Sequence, residues 1–132
     1  MRNLILWTEE LDKAIMQTGF TVLDVSYLIS VHFNDSIDEI LSNSLSAIKK
    51  ILNDAIPAGA RGLIFSNFGM LLEPELHISV VKLLLDYAIS YDLVIFWPHS
   101  IKNGRTLYWD AGQLAFSIDF SENILQHLEI KE

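Results

Sequence analysis

Four short apolar runs, separated by segments of helical period, constrain this chain more than any other feature. They are residues 3–7 (Asn-Leu-Ile-Leu-Trp), Phe20 to Tyr27, Gly62 to Phe65 and Leu93 to Trp97, the last closed by Pro98. Runs this short and apolar suit strands buried on both faces, as in parallel sheets. Thr8 can cap a helix after the first run, with Glu9 and Glu10 in the first turn, where the positive dipole end favours carboxylates. Leu11, Ala14 and Ile15 form its inner face and Gly19 ends it. Ser36-Ile37-Asp38-Glu39 has capping-box spacing. From there Ile37, Ile40, Leu41, Leu45, Ile48, Ile51, Leu52 and Ile56 make one amphipathic stripe, which Pro57 and Gly59 stop. Pro74 can open a further helix, apolar nearly all round from Leu76 to Ile89 and so expected inside the core.

Strand, helix, strand, helix, strand, helix, strand is the order of an α/β fold: three layers, with a mostly parallel sheet between helices. Asn103-Gly104, between Ile101 and Leu107, signals a hairpin. Leu114, Phe116, Ile118 and Phe120 alternate with smaller or polar residues, as in a strand with one wet face. This C-terminal β-hairpin is expected to extend one edge of the sheet. No linker or repeat divides the chain, so residues 1–132 are read as one domain.

Composition narrows the functions. The chain is 51% hydrophobic, which excludes intrinsic disorder. Its 17 acidic against 9 basic residues, a net charge of −8, lack the basic footprint of direct nucleic-acid binding. The absence of cysteine removes disulfides, thiolate metal sites and cysteine nucleophiles together. No apolar run has the length of a membrane span, and Glu9 and Glu10 interrupt the first run too early for a secretory leader. A cytoplasmic location is therefore expected, with no membrane partner.

The search for chemistry centres on loops after the carboxyl ends of the strands, where such folds place ligands. A phosphate loop needs glycines, so that backbone N–H groups can surround the phosphates, and a lysine. Here the first strand runs into Trp7-Thr8-Glu9-Glu10, with no glycine before Gly19 and two carboxylates where phosphate charge would have to sit. The third strand ends Phe65-Ser66-Asn67-Phe68-Gly69, without the acid that holds magnesium in an ATPase. Ser66 and Asn67 can hydrogen-bond a ligand, but satisfying a strand end and turn is the ordinary reading. His32, His77, His99 and His127 show no i, i+4 pairing; His99 alone lies at an expected ligand edge. Glu73 and Glu75 flank Pro74 where a helix dipole favours carboxylates. Asp24 interrupts the second run, and a structural or interface contact is the expectation for it. Trp97, Tyr108 and Trp109 are residue types that anchor interfaces, although core packing is the preferred reading of Trp97.

The stretch from Gly62 to Phe120 resembles BrxF, the small P-loop protein family of type III BREX phage-defence systems. A hydrophobic strand ends in an asparagine-containing turn (Leu63-Ile64-Phe65-Ser66-Asn67). Leu71-Leu72-Glu73-Pro74-Glu75-Leu76 follows, similar to that family's leucine-phenylalanine-aspartate-proline helix start. Next come a leucine-rich helix, a strand ending Phe96-Trp97-Pro98, and Asn103-Gly104-Arg105-Thr106-Leu107-Tyr108, similar to the family's glycine-x-leucine-threonine-tyrosine segment. Val22 to Ser30 is similar to the segment after the family's first helix. The resemblance implies a sheet of P-loop-NTPase-like type.

The departures imply more. The family carries a glycine-rich loop with lysine where this chain has Trp7, Thr8, Glu9 and Glu10. It carries an aspartate at the position of Ser66 and a glutamate at that of Gly69. With all three groups missing, the resemblance implies a pseudo-ATPase: no cofactor, no catalytic residue, and a scaffold kept for its surface. The expectation is a non-catalytic interaction subunit of a bacterial antiviral defence complex, docking larger protein subunits through Trp97, His99, Arg105, Tyr108 and Trp109. Self-association is compatible with the same surface. Two alternatives stand beside it: a nucleotide-binding regulator or weak NTPase with a non-standard site, and an acidic inhibitor or immunity protein occupying a basic cleft.

Overall fold

A computed structural model describes residues 4–8, 10–72, 76–98, 100–102, 106–111, 114–119 and 128–131, the last four segments by their backbone. Strand β1 (Leu4–Trp7) leads into α1 (Leu11–Thr18), which ends at Gly19 with a left-handed φ of 67°. Then come β2 (Thr21–Asp24), α2 (Val25–Ser42), α3 (Ser44–Ala55) and β3 (Gly62–Ser66). A single 3-10 turn (Gly69–Leu72) precedes α4 (Val80–Ser90) and β4 (Asp92–Phe96). Strands β5 (Ser100–Lys102), β6 (Thr106–Ala111), β7 (Leu114–Asp119) and β8 (Leu128–Lys131) complete the order.

The main sheet has the order β2-β3-β4-β1-β8, every pair parallel. Strands β1, β3 and β4 are buried on both sides, and the period-2 alternation of a strand divides their side chains between two cores. Leu4, Leu6, Leu23, Leu63, Phe65, Leu93 and Ile95 meet the apolar faces of α2, α3 and α4. Trp7, Ile64 and Val94 meet Ala14 of α1, with Ile5, Val22 and Phe96 around them. Connection handedness explains the split. From β1 the chain crosses to the far edge at β2, then steps back through β3 to β4. Right-handed crossovers in opposite directions put α1 on one face and α2 to α4 on the other. The α/β expectation, with helices on both faces of a parallel sheet, therefore holds.

Four details differ from the sequence reading. The second strand stops at Asp24, and helix starts at Val25 despite the β-branched and aromatic residues nearby, because Asp24 caps it: Oδ1 of Asp24 accepts the Tyr27 N–H at 3.2 Å. The helix expected from Ser36 to Ile56 is two helices, broken at Asn43, and the capping-box residues lie inside the first of them. The helix expected at Leu76 begins at Val80, where Ser79 accepts the Lys82 N–H, because His77 has a left-handed φ of 51° that no right-handed helix admits. Pro74, Glu73 and Glu75 lie outside the described residues.

The fourth is the hairpin. Strands β5, β6 and β7 pair antiparallel in a sheet of their own and do not extend the parallel one. Strand β4 is already flanked by β3 and β1, so the segment leaving it meets no open edge. The open side of β1 is taken by β8, in parallel. Asn103, Gly104 and Arg105, which link β5 to β6, lie outside the described residues.

Candidate functional site

The carboxyl ends of β2, β3 and β4 converge on a cleft of ≈ 320 Å³ lined by Leu11, Asp24, Ser66, Asn67, Phe96 and Pro98 among others. Parallel register builds it: Asp24 stands opposite Ser66, so Asn67, the next residue, meets Asp24 although 43 positions separate them. It lies at the carboxyl edge, beside the point where the connection from β1 leaves on one face and those from β2 and β3 leave on the other, the usual ligand position of an open α/β sheet.

Hydrogen bonds tie the loops around it together. Asn67 adopts a left-handed φ of 49°, which asparagine tolerates better than most residues. That turn directs its side chain and carbonyl back at β2 and α2. Nδ2 of Asn67 donates to Oδ1 of Asp24 at 2.9 Å, and the Ser26 N–H donates to the Asn67 carbonyl at 2.8 Å. Oγ of Ser26 accepts the Met70 N–H at 3.1 Å. Buried Ser66 directs its hydroxyl at the Leu23 carbonyl over a long 3.5 Å. The N–H groups of Ser26 and Tyr27, which at a helix N-terminus would attract an anion, are thus spent inside the protein.

The β1–α1 connection is short. Three residues, 8 to 10, separate Trp7 from Leu11. Glu10 is the N-cap residue, but its side chain makes no capping bond; its carboxylate lies 3.9 Å from the Lys13 ammonium on the surface. The Glu10 carbonyl accepts both the Lys13 N–H and Nε1 of Trp7. Thr8, expected as the cap, is half-buried one strand-end earlier, and Glu9 lies outside the described residues. Gly69 opens the 3-10 turn beyond Asn67, half-buried.

Of the interface candidates, Trp97 is corrected: it is 3% exposed, its ring 5.4 Å from that of Phe68, and its N–H bonds the Trp7 carbonyl at 2.9 Å. Burial makes it part of the core and not a surface anchor. Tyr108 and Trp109 stand side by side in β6, opposite Ser117 and Phe116 of β7. His99 and Arg105 lie outside the described residues. Among the described residues no group of histidine and acidic side chains is placed to hold a metal ion, and no helix is long and apolar enough to cross a membrane.

A second polar region joins α3 to α4. Lys49 meets Asp86 at 2.9 Å, and the Tyr87 hydroxyl donates to Oδ1 of Asn53 at 2.8 Å. Burial, helped by Tyr91 and Asp86 nearby, pushes the Tyr87 phenol up to about 12. These contacts fasten two helices. Sequence reasoning missed the Asp24–Asn67 pairing, for which an aspartate at the end of an apolar run was the only local sign. No protein-family model, no curated protein and no solved structure matches this chain.

Proposed function

We propose that this chain is a non-catalytic interaction subunit of a bacterial antiviral defence complex, a cytoplasmic pseudo-ATPase whose P-loop-like sheet has lost its phosphate loop. The observation that carries the reading is the three-residue β1–α1 connection, with the Trp7 indole bonded to the Glu10 carbonyl at its far end. A phosphate loop needs a longer, glycine-rich path so that successive N–H groups can turn inward around the phosphates. Three residues that include two glutamates offer neither the path nor the charge. Two N–H groups at the α2 end of this edge, on Ser26 and Tyr27, are committed to Asn67 and Asp24, which supports the same reading.

Function then resides in what the surface holds. Successive residues of a strand face opposite sides, so one of Tyr108 and Trp109 of β6 is the proposed docking contact for a larger subunit. The test is co-expression of the chain with the products of its neighbouring genes, followed by co-purification. A stable complex with the native chain, lost in Y108A/W109A while that variant stays folded, is the expected result. A chain that purifies alone, or a complex indifferent to the double substitution, contradicts the docking element.

A further inference from the structure

The hydrogen-bonding inventory of the carboxyl-edge cleft is one-sided. Of the polar side chains that line it, Asn67 places one of its two Nδ2 hydrogens on Asp24, and Ser66 points its hydroxyl at Leu23. Apart from the second Nδ2 hydrogen of Asn67, what remains on these side chains is acceptors. Asp24 uses Oδ1 for Tyr27 and Asn67, while its Oδ2 takes no hydrogen bond among the described residues. Oδ1 of Asn67 is likewise unengaged there, and Ser66 Oγ retains its lone pairs. Asp24 is the one charged residue among the described lining, and Leu11, Phe96 and Pro98 supply an apolar wall. From β2 to β4 the floor spans two strand spacings, about 10 Å.

A ligand for such a place must donate several hydrogen bonds, accept few, carry positive charge and bring an apolar stem. We propose that the cleft receives the guanidinium of an arginine presented by a partner protein. The proposal rests on the interaction-subunit reading and gives that partner its chemistry. A guanidinium is planar, has five donors and no acceptor, and is less tightly hydrated than an ammonium, so it gives up water more readily against an apolar wall. One edge of the group meets Oδ2 of Asp24, and the other meets Oδ1 of Asn67. The methylene stem packs on Leu11 and Phe96. The net charge of −8 favours a basic partner over a neutral one, because it steers approach as well as docking.

The test is a titration of the intact chain with N-acetyl-arginine methylamide, read by NMR at the Asn67 side-chain amide. N-acetyl-citrulline methylamide, equal in shape but uncharged, is the reference. Saturable shifts with the arginine compound, and binding weaker by at least ~10-fold with citrulline, are expected from the loss of the charge-assisted bonds. D24N keeps a competent helix cap, so its fold is preserved and its arginine binding should fall by a similar factor. Equal binding of the two compounds, no binding of either, or an unaffected D24N overturns the proposal. A peptide holding one arginine between uncharged residues should bind more tightly than agmatine; agmatine equal to the peptide overturns the assignment to a protein partner. Failure of these titrations leaves the interaction-subunit reading standing, because that reading is contradicted by nucleotide binding, a separate measurement.

Discussion

Nε1 of Trp7 donates a hydrogen bond to the Glu10 carbonyl at 3.1 Å, so the last residue of β1 fastens the turn that follows it. The same residue is buried against Ala14, Ile64 and Val94, which makes it both packing and latch. W7F keeps most of the packing and loses the latch, and a cost of about 1 kcal/mol is expected in denaturant unfolding. W7A should cost ~3–5 kcal/mol by adding a cavity. A W7A loss below that of W7F would contradict the burial.

Asp24 joins two structures, as cap of α2 and as partner of Asn67. D24A should therefore lower stability by roughly 1–2 kcal/mol, whereas D24N, a good cap in itself, should cost less than half of that. Because the residues act on each other, D24A and N67A should be non-additive, the double variant losing less than the sum. Thermal unfolding of the four proteins measures it, and strict additivity would argue against the pairing.

Tyr87 links the core to pH. Its phenol is raised by burial from 10.0 to about 12, with Tyr91 and Asp86 adding to the effect. The raised value favours the neutral form in the folded protein. Below the unfolded value near 10 both states are neutral and the stability is complete; it is lost as pH rises from there toward 12. The expected loss is at most about 3 kcal/mol, less where solvent reaches the phenol. Y87F removes the bond to Asn53, so it should be less stable at neutral pH by roughly 1 kcal/mol. It should also show a shallower alkaline decline. A decline as steep in Y87F as in the native chain would assign it to another group.

Gly62, the first residue of β3, is needed for close approach. A Cβ there would collide with the Phe20 ring, which packs on the α1 side of the sheet. G62A should cost about 1–3 kcal/mol, as overpacking does. In a background of F20L the cost should shrink, since the smaller side chain yields the space. A penalty unchanged by F20L would place the conflict elsewhere.

Much of the fold was legible because the strands announce themselves. Leu4 to Trp7, Gly62 to Phe65 and Leu93 to Phe96 are apolar on both faces, and both faces are covered. Boundaries set by one hydrogen bond were not legible. Val25 to Tyr27 has strand propensity, and a single Asp24 contact turns it into helix. The Ser36 to Glu39 spacing is a valid capping box, overridden because α2 was already under way. Trp97, read by preference as core, is core, with its ring against Phe68. The cleft was foreseeable as a place, from strand polarity, but its chemistry depends on which donors are spent. That follows from a pairing 43 residues apart.

The proposed reading requires that the carboxyl edge of the parallel sheet hold no nucleotide. Calorimetric titration of the intact chain with ATP and magnesium, and separately with GTP, measures this directly. No saturable heat is expected with either nucleotide. Micromolar binding of ATP or GTP would contradict the account.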